Sequence, residues 1–191
     1  IEEPFFEVYN GHPGIRHLGD KDHPSDERIW DIANTIRLAE LGAPPLFGVA
    51  TDDSHTYHGG SVSPGRGWVM VRSEKLEGDA LILAMRAGDF YASSGVFLDG
   101  IDFDPKTREL SLKIRPNEDS TFETQLIGTV GEEIGKVIAS KAGQEVSFVV
   151  PPDALYARAT ITSSRAHPNP SFDDQKEQAW TQPVGWRKPK P

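Results

Sequence analysis

The sequence predicts an α/β unit followed by an antiparallel, sandwich-like β region. A strand–helix–strand pattern over residues 5–50 ends in an all-apolar run, which is typical of a strand buried in a parallel sheet. After Phe97, short alternating segments separated by turn residues favour antiparallel strands. Hydrophobic residues make up 37% of the chain, enough for a packed core. We therefore divide the chain into residues 1–97, residues 98–186 and a basic, proline-rich tail at 187–191.

A strand, a helix and a second strand make up the first unit. Residues 5–9 are aromatic and β-branched, which favours a strand. Ser25 is suited to a helix N-cap, and Gly42 is expected to close the helix as a C-cap glycine. Between them, apolar residues recur at helical spacing: Ile29, Ile32, Ala33, Ile36, Ala39 and Leu41. Residues 46–50 form the buried second strand.

Further elements are expected along the rest of the chain. Residues 68–71 favour a strand, residues 76–87 a helix closed by Gly88, and residues 90–95 a tight segment of small residues. Beyond residue 97, five short strands are expected, at 101–103, 110–114, 122–127, 146–150 and 156–161.

Charge and composition exclude several classes of function. The formal net charge of −9 disfavours binding to nucleic-acid polymers or anionic membrane surfaces, because both are negatively charged. The absence of cysteine excludes disulfides, thiolate–zinc sites and cysteine nucleophiles. No apolar run reaches the roughly 20 residues that span a bilayer. The cellular location stays open.

Polar residues follow both strands of the first unit. Asn10 ends the first strand, and Asp53, Ser54 and His55 follow the second. The carboxyl ends of parallel strands meet at one edge of a sheet, so we expect both groups on the same rim. In an extended chain Asp53 and His55 point to one side, and their oxygen and nitrogen atoms suit zinc, manganese or iron. The alternative is a turn in which Asp53 caps the backbone and His55 is exposed.

Histidines concentrate in the same part of the chain. Five of the six lie in the first 58 residues: His12, His17, His23, His55 and His58. His12, directly after Asn10 and Gly11, is the next candidate for the site. His58 is a candidate to orient a ligand or to contact substrate. His17 and His23 lie in a charged loop and are expected on the solvated surface, and His167 falls outside the group.

Two further charged residues are candidates. Glu7 lies in the first strand and needs a partner, which a salt bridge or a catalytic role would provide. Arg66 follows a glycine-rich loop, and its planar guanidinium is suited to bidentate contact with phosphate. The alternative for Arg66 is an exposed loop arginine.

The two strand ends carry a family resemblance. Residues 6–12 (Phe-Glu-Val-Tyr-Asn-Gly-His), the following helix and residues 47–56 resemble the C-terminal half of the PHP domain, a family of metal-dependent phosphoesterases named after polymerases and histidinol phosphatase. Residues 86–95 and 179–183 are similar to segments that follow it in that family. The resemblance implies a distorted seven-stranded β/α barrel, with two or three divalent metal ions at the carboxyl ends of its strands.

The resemblance also implies roles for individual residues. Asp53 and His55 match the late Asp-x-His motif and would be metal ligands. Glu7 and Asn10 match residues that lie near the site in that family. Beyond the resemblance, we predict that Asn10 and Arg66 contact substrate and that His12 and His58 contact phosphate or deliver a proton.

The implied function is hydrolysis of a small phosphate monoester or nucleotide. The family's early ligands would lie upstream of Ile1, so a companion N-terminal half of the domain is an expected partner, and this chain is expected to be inactive alone. A non-catalytic protein, in which the β-sandwich region binds a ligand or partner, is the alternative. A hydrolase with a non-phosphate substrate is the third possibility.

Overall fold

The computed structural model describes residues 2–58, 62–117 and 119–186, and within these ranges the chain is mostly β. Strands hold 41% of these residues and helices 13%. The described helices are α1 (Asp26–Ala39) and α2 (Gly78–Ala87). The described strands are β1 (Phe5–Asn10), β2 (Phe47–Thr51), β3 (Trp68–Val71), β4 (Phe90–Ser93), β5 (Leu98–Asp104), β6 (Glu109–Ile114), β7 (Phe122–Val130), β8 (Glu133–Ala142), β9 (Glu145–Val149), β10 (Ala154–Ala166) and β11 (Lys176–Trp180). Neither helix is long and apolar enough to cross a membrane.

The β1–α1–β2 unit forms as the sequence predicts. β1 and β2 pair in parallel, from Phe5 opposite Phe47 to Asn10 opposite Thr51. α1 connects them, and its first turn is capped by Ser25, whose hydroxyl accepts a hydrogen bond from the backbone N–H of Arg28. The carboxyl ends of the two strands therefore lie side by side.

Two antiparallel sheets account for the other described strands. One has six strands in the order β3-β4-β11-β10-β7-β8, and the other has three in the order β5-β6-β9. A single apolar core takes side chains from both sheets, including Leu110 and Phe148 from the smaller and Leu126 and Ile161 from the larger. The two sheets thus form a sandwich, in agreement with the antiparallel region predicted beyond residue 97.

The other face of the six-stranded sheet is covered by the β1–α1–β2 unit. A second apolar cluster joins Val8, Tyr9 and Trp30 of that unit to Ala92 and Trp180 of the sheet. On β10, side chains alternate between Ala157, Ala159 and Ile161 in the first core and Tyr156, Arg158 and Thr160 facing α1. The molecule therefore has three layers, with the six-stranded sheet in the middle.

The seven-stranded β/α barrel implied by the family resemblance is wrong. The described residues hold two helices, and β1 with β2 is their only parallel pair. After β2 the chain does not return through helices to further parallel strands, because β3 pairs antiparallel with β4. β3 and β4 also join the sheet that contains β11 and β10, so one sheet takes strands from both sides of residue 97. The division at that residue stays a prediction.

Local predictions differ from the structure in three places. α1 ends at the C-cap Glu40, and Gly42 adopts a left-handed conformation two residues later. The strand β8 was not predicted, because its apolar residues do not alternate regularly with polar ones. α1 buries Trp30, Asp31 and Asn34, whereas Ile29 and Ile36 of the predicted apolar face are exposed. The predicted tail at 187–191 lies outside the described residues.

Candidate functional site

The carboxyl ends of β1 and β2 bring the predicted polar residues together. The backbone N–H of Gly11 donates to the carbonyl of Thr51 at 2.8 Å, extending the parallel pairing by one residue. The chains then separate into two loops, one starting with His12 and the other with Asp52. These two loops carry the candidate site.

The amide of Asn10 links the two loops. Its Nδ2 donates to Glu7 Oε2 at 3.1 Å and to Asp53 Oδ2 at 3.2 Å, and its Oδ1 accepts from the backbone N–H of His12 at 2.8 Å. Asn10 is 8% exposed. Because both its Nδ2 and its Oδ1 are hydrogen-bonded to protein groups, Asn10 positions Asp53 and His12. This role differs from the predicted contact with substrate.

Glu7 finds its partners by hydrogen bonding. Its carboxylate accepts from the Asn10 amide and from the hydroxyl of Thr51, and its side chain faces solvent. No arginine within the described ranges forms an ion pair with it. Glu7 therefore supports Asn10 from the first strand.

Asp52 and Asp53 have different tasks. Oδ1 of Asp52 accepts from the backbone N–H groups of Arg66 and Gly67, at 2.6 and 2.9 Å, so Asp52 caps the returning loop. Asp53 has a positive φ of 45°, in the left-handed region where aspartate is more frequent than most residues. Its carboxylate is 38% exposed and contacts the Asn10 amide. The backbone-capping role thus falls to Asp52, and Asp53 presents its carboxylate at the rim.

His12 and His55 lie edge to face, with ring centroids 5.3 Å apart. Nδ1 of His55 lies 2.8 Å from the carbonyl oxygen of Asp53; since a carbonyl only accepts, Nδ1 carries the proton and Nε2 holds the lone pair. Nδ1 of His12 accepts from the backbone N–H of Gly14 at 2.8 Å, so in the neutral ring the proton is on Nε2. The backbone therefore selects opposite tautomers for two neighbouring rings.

Arg66 is buried beneath the two loops, and the prediction of an exposed loop arginine is wrong. It is 4% exposed; its Nη1 donates to the carbonyl of Gly11 at 3.0 Å, and its Nη2 donates to Asn169 Oδ1 at 3.1 Å. These contacts join the loop after β1 to the segment after β10. Nη1 and Nη2 thus bind protein acceptors, whereas Nε is buried and has no hydrogen-bond partner among the described residues. The contacts of the two terminal nitrogens give Arg66 a structural role, which differs from the predicted phosphate contact.

The segment 167–171 also supports the two loops, a role that was not predicted. Nε2 of His167 donates to the carbonyl of Arg66 at 3.2 Å, and its Nδ1 accepts from the backbone N–H of Asn169 at 3.0 Å. The hydroxyl of Ser171 donates to the Gly11 carbonyl at 2.6 Å. Burial lowers the pKa of His167, so the ring favours its neutral form. In the sequence, the only indication of an ordered loop here is the pair of prolines, at 168 and 170, between polar residues.

The remaining histidines separate in space. His58 is exposed, and nothing in the described ranges joins it to His12 or His55 by a hydrogen bond or ring contact. His17 is 5% exposed, against the prediction, because it packs on Tyr9 and Phe172 and contacts Asp26. His23 is on the surface beside Asp20, as expected.

The donor atoms at the rim are suited to a divalent cation but do not complete a site. Asp53 offers a carboxylate oxygen and His55 a nitrogen lone pair, the types that zinc, manganese and iron accept. Over residues 2–58, 62–117 and 119–186, no group of three acidic or histidine side chains is arranged to hold a metal ion. A cation here would need further ligands.

Comparisons with known proteins give no match, whether with protein-family models, curated proteins or solved structures.

Proposed function

We propose that this chain contributes part of the active site of a metal-dependent hydrolase, with a small phosphate monoester or nucleotide as substrate. One observation carries the proposal. The carboxylate of Asp53 and the rings of His12 and His55 lie together at the carboxyl ends of two parallel strands. Ligands gather at this edge of parallel sheets.

Asp53 and His55 would hold the cation. Both side chains are accessible, at 38% and 65% exposed, and each is oriented by a further contact: Asp53 by the Asn10 amide, His55 by a backbone carbonyl. A hydrogen bond from Nδ1–H to a carbonyl is the usual way in which a metal-ligating histidine is oriented. A divalent cation supplies Lewis acidity, which activates water and offsets negative charge on a phosphoryl group.

His12 would act on the substrate through its Nε2–H. In the neutral ring this group is a hydrogen-bond donor, so it can bind a phosphoryl oxygen of the substrate. The backbone N–H of Gly14 holds the ring from its other nitrogen. The centroid of the His12 ring lies 5.3 Å from that of His55, one of the proposed cation ligands.

Further ligands would come from a companion polypeptide, from substrate and from water. Zinc in catalytic sites usually has three protein ligands and one exchangeable position. Asp53 and His55 supply two, so the companion N-terminal half expected from the sequence is part of the proposal. The substrate is small because a net charge of −9 repels polyanions.

Isothermal titration with Mn²⁺ and Zn²⁺ tests the cation site directly, alone and with the companion polypeptide if one is found. We expect the Asp53→Ala/His55→Ala variant to lose the binding that the wild type shows. Hydrolysis of p-nitrophenyl phosphate by the complete assembly should be lost with it, whereas His12→Ala should reduce turnover and retain the cation.

A matched control is available on the surface. Asp20 and His23 form an exposed pair, with Nδ1 of His23 2.8 Å from Oδ1 of Asp20. The Asp20→Ala/His23→Ala variant should bind cations like the wild type. Equal cation binding by both double variants would refute the ligand assignment, and cation binding without turnover in the complete assembly would favour the non-catalytic alternative.

A further inference from the structure

The helix α2 is partly or fully exposed to solvent along its whole length. None of its ten residues is buried, and α2 packs mainly against β3. Ile82 is 53% exposed, Leu83 is 67% exposed, and Leu76, just before the helix, is 94% exposed. A helix of this length has little stability of its own, and its two central aliphatic side chains face water.

The exposed residues of α2 lie on one face. Asp79, Ile82, Leu83 and Arg86 follow the i, i+3, i+4, i+7 spacing of a single helical stripe, and all four are exposed. Ala80, Leu81, Ala84 and Met85 on the opposite side are half-buried. The outer stripe therefore has an apolar centre with an acidic residue at its N-terminal end and a basic residue at its C-terminal end.

The stripe is complementary to itself. Asp79 and Arg86 are equally far from the midpoint between Ile82 and Leu83. A second α2 running antiparallel across this midpoint would place each Asp79 opposite the Arg86 of the other copy. It would also cover both aliphatic residues and align the helix dipoles favourably. Neither Asp79 nor Arg86 has an ion-pair partner in the parts of the chain that the structure describes.

We propose that α2 is the interface of a homodimer, in which the two helices pack antiparallel about a twofold axis between Ile82 and Leu83. The interface is isologous, as in most homodimers. Two ten-residue helices form a small contact, below the standard interface size, so the association is expected to be reversible and to depend on protein concentration.

Sedimentation equilibrium of the full chain across a wide concentration range tests this proposal. The wild type should pass from monomer to dimer. Ile82→Glu should weaken dimerisation by about tenfold or more, because it places two carboxylates in the apolar centre. Asp79→Arg and Arg86→Asp should each weaken it, since like charges then meet at both ends of the contact, and the combined variant should restore it.

Because these residues are exposed, the substitutions should leave the fold intact, and thermal unfolding of each variant checks this. Val137→Glu is the matched control, because Val137 is 48% exposed on β8, at the opposite edge of the sheet from β3. It should leave dimerisation unchanged. A wild type that stays monomeric, a dimer that Ile82→Glu does not weaken, or a combined charge reversal that fails to restore association would each overturn the proposal.

Discussion

Arg158 on β10 binds Asp31 on α1 through two nitrogen atoms, with Nε 2.9 Å from Oδ1 and Nη2 2.8 Å from Oδ2. The side chains are 1% and 4% exposed, and the Trp30 ring lies 4.7 Å from the guanidinium carbon. Glu27 adds a second carboxylate 3.0 Å from Nη1. Burial alone would raise the pKa of Glu27, but the charge of Arg158 and hydrogen bonds hold it below its usual value. This network fastens the β1–α1–β2 unit, and with it the candidate site, to the six-stranded sheet.

Asp31→Asn should therefore destabilise the protein strongly. The substitution keeps the shape but removes a buried charge, which leaves Arg158 only partly neutralised by Glu27. Breaking a buried pair in this way costs about 3 kcal/mol of unfolding free energy. Urea denaturation measures the change. Asp89→Asn is the control, because Asp89 pairs with Arg72 on the surface, and it should shift the midpoint little. Equal shifts in both variants would contradict this account.

Gln182→Leu should loosen β2. The Gln182 amide forms two hydrogen bonds with the backbone of Gly48, of the kind that a neighbouring strand would form. Its Oε1 accepts from the N–H of Gly48 at 2.7 Å, and its Nε2 donates to the Gly48 carbonyl at 2.9 Å. Leucine leaves two buried backbone groups without partners, which costs about 2 kcal/mol or more. Amide hydrogen exchange measures the effect at Gly48, whose N–H should exchange faster. Gln125→Leu, at a half-buried position on β7, should leave that rate unchanged.

The sequence predicted the parts of the site that depend on short-range pattern. The apolar run of β2 and the aromatic run of β1 indicated two adjacent parallel strands, so Asn10 and Asp53 were expected on one rim, as the structure has them. Contacts between distant segments carried no such signal. His167 supports Arg66 across 101 residues, and a lone histidine in a sequence does not indicate its partner.

α1 shows why burial was harder to predict. Its apolar stripe suggested that Ile29 and Ile36 face the core, but the neighbouring β10 presents Arg158 and Tyr156, so Asp31 is the residue that faces inward. Which face of α1 is buried depends on polar partners more than 120 residues away in the sequence. The spacing of apolar residues within the helix carries no information about them. The barrel prediction failed for a related reason: one parallel pair does not determine how the later strands are arranged.

His167 should make stability depend on pH. Burial, and to a lesser extent the charge of Arg66, lowers its pKa below the ordinary 6.5. As pH falls below about 6.5, the unfolded chain binds a proton at this residue before the folded chain does, so the unfolding free energy should fall. That contribution is fully present above this pH. Urea denaturation of the wild type and His167→Gln at several pH values between about 5 and 8 measures it.

The difference between the two proteins is the informative quantity, because it isolates the contribution of His167 from all other pH effects. His167→Gln should flatten the acid limb of the curve, since glutamine has no proton to gain. His23→Gln is the control, because His23 is 75% exposed, and it should retain the slope of the wild type. Equal slopes in the wild type and His167→Gln would show that the His167 contact with Arg66 has no part in acid sensitivity.

The opposite tautomers of His12 and His55 can be observed directly. Nitrogen-15 NMR, at a pH where both rings are neutral, should show a protonated Nε2 for His12 and a protonated Nδ1 for His55, because a backbone N–H faces one Nδ1 and a backbone carbonyl faces the other. Adding Zn²⁺ should shift the Nε2 signal of His55 if it is a ligand. A His55 protonated on Nε2 would remove the lone pair on which the proposed cation site depends, even if the hydrogen bond to Asn10 still held Asp53 in place.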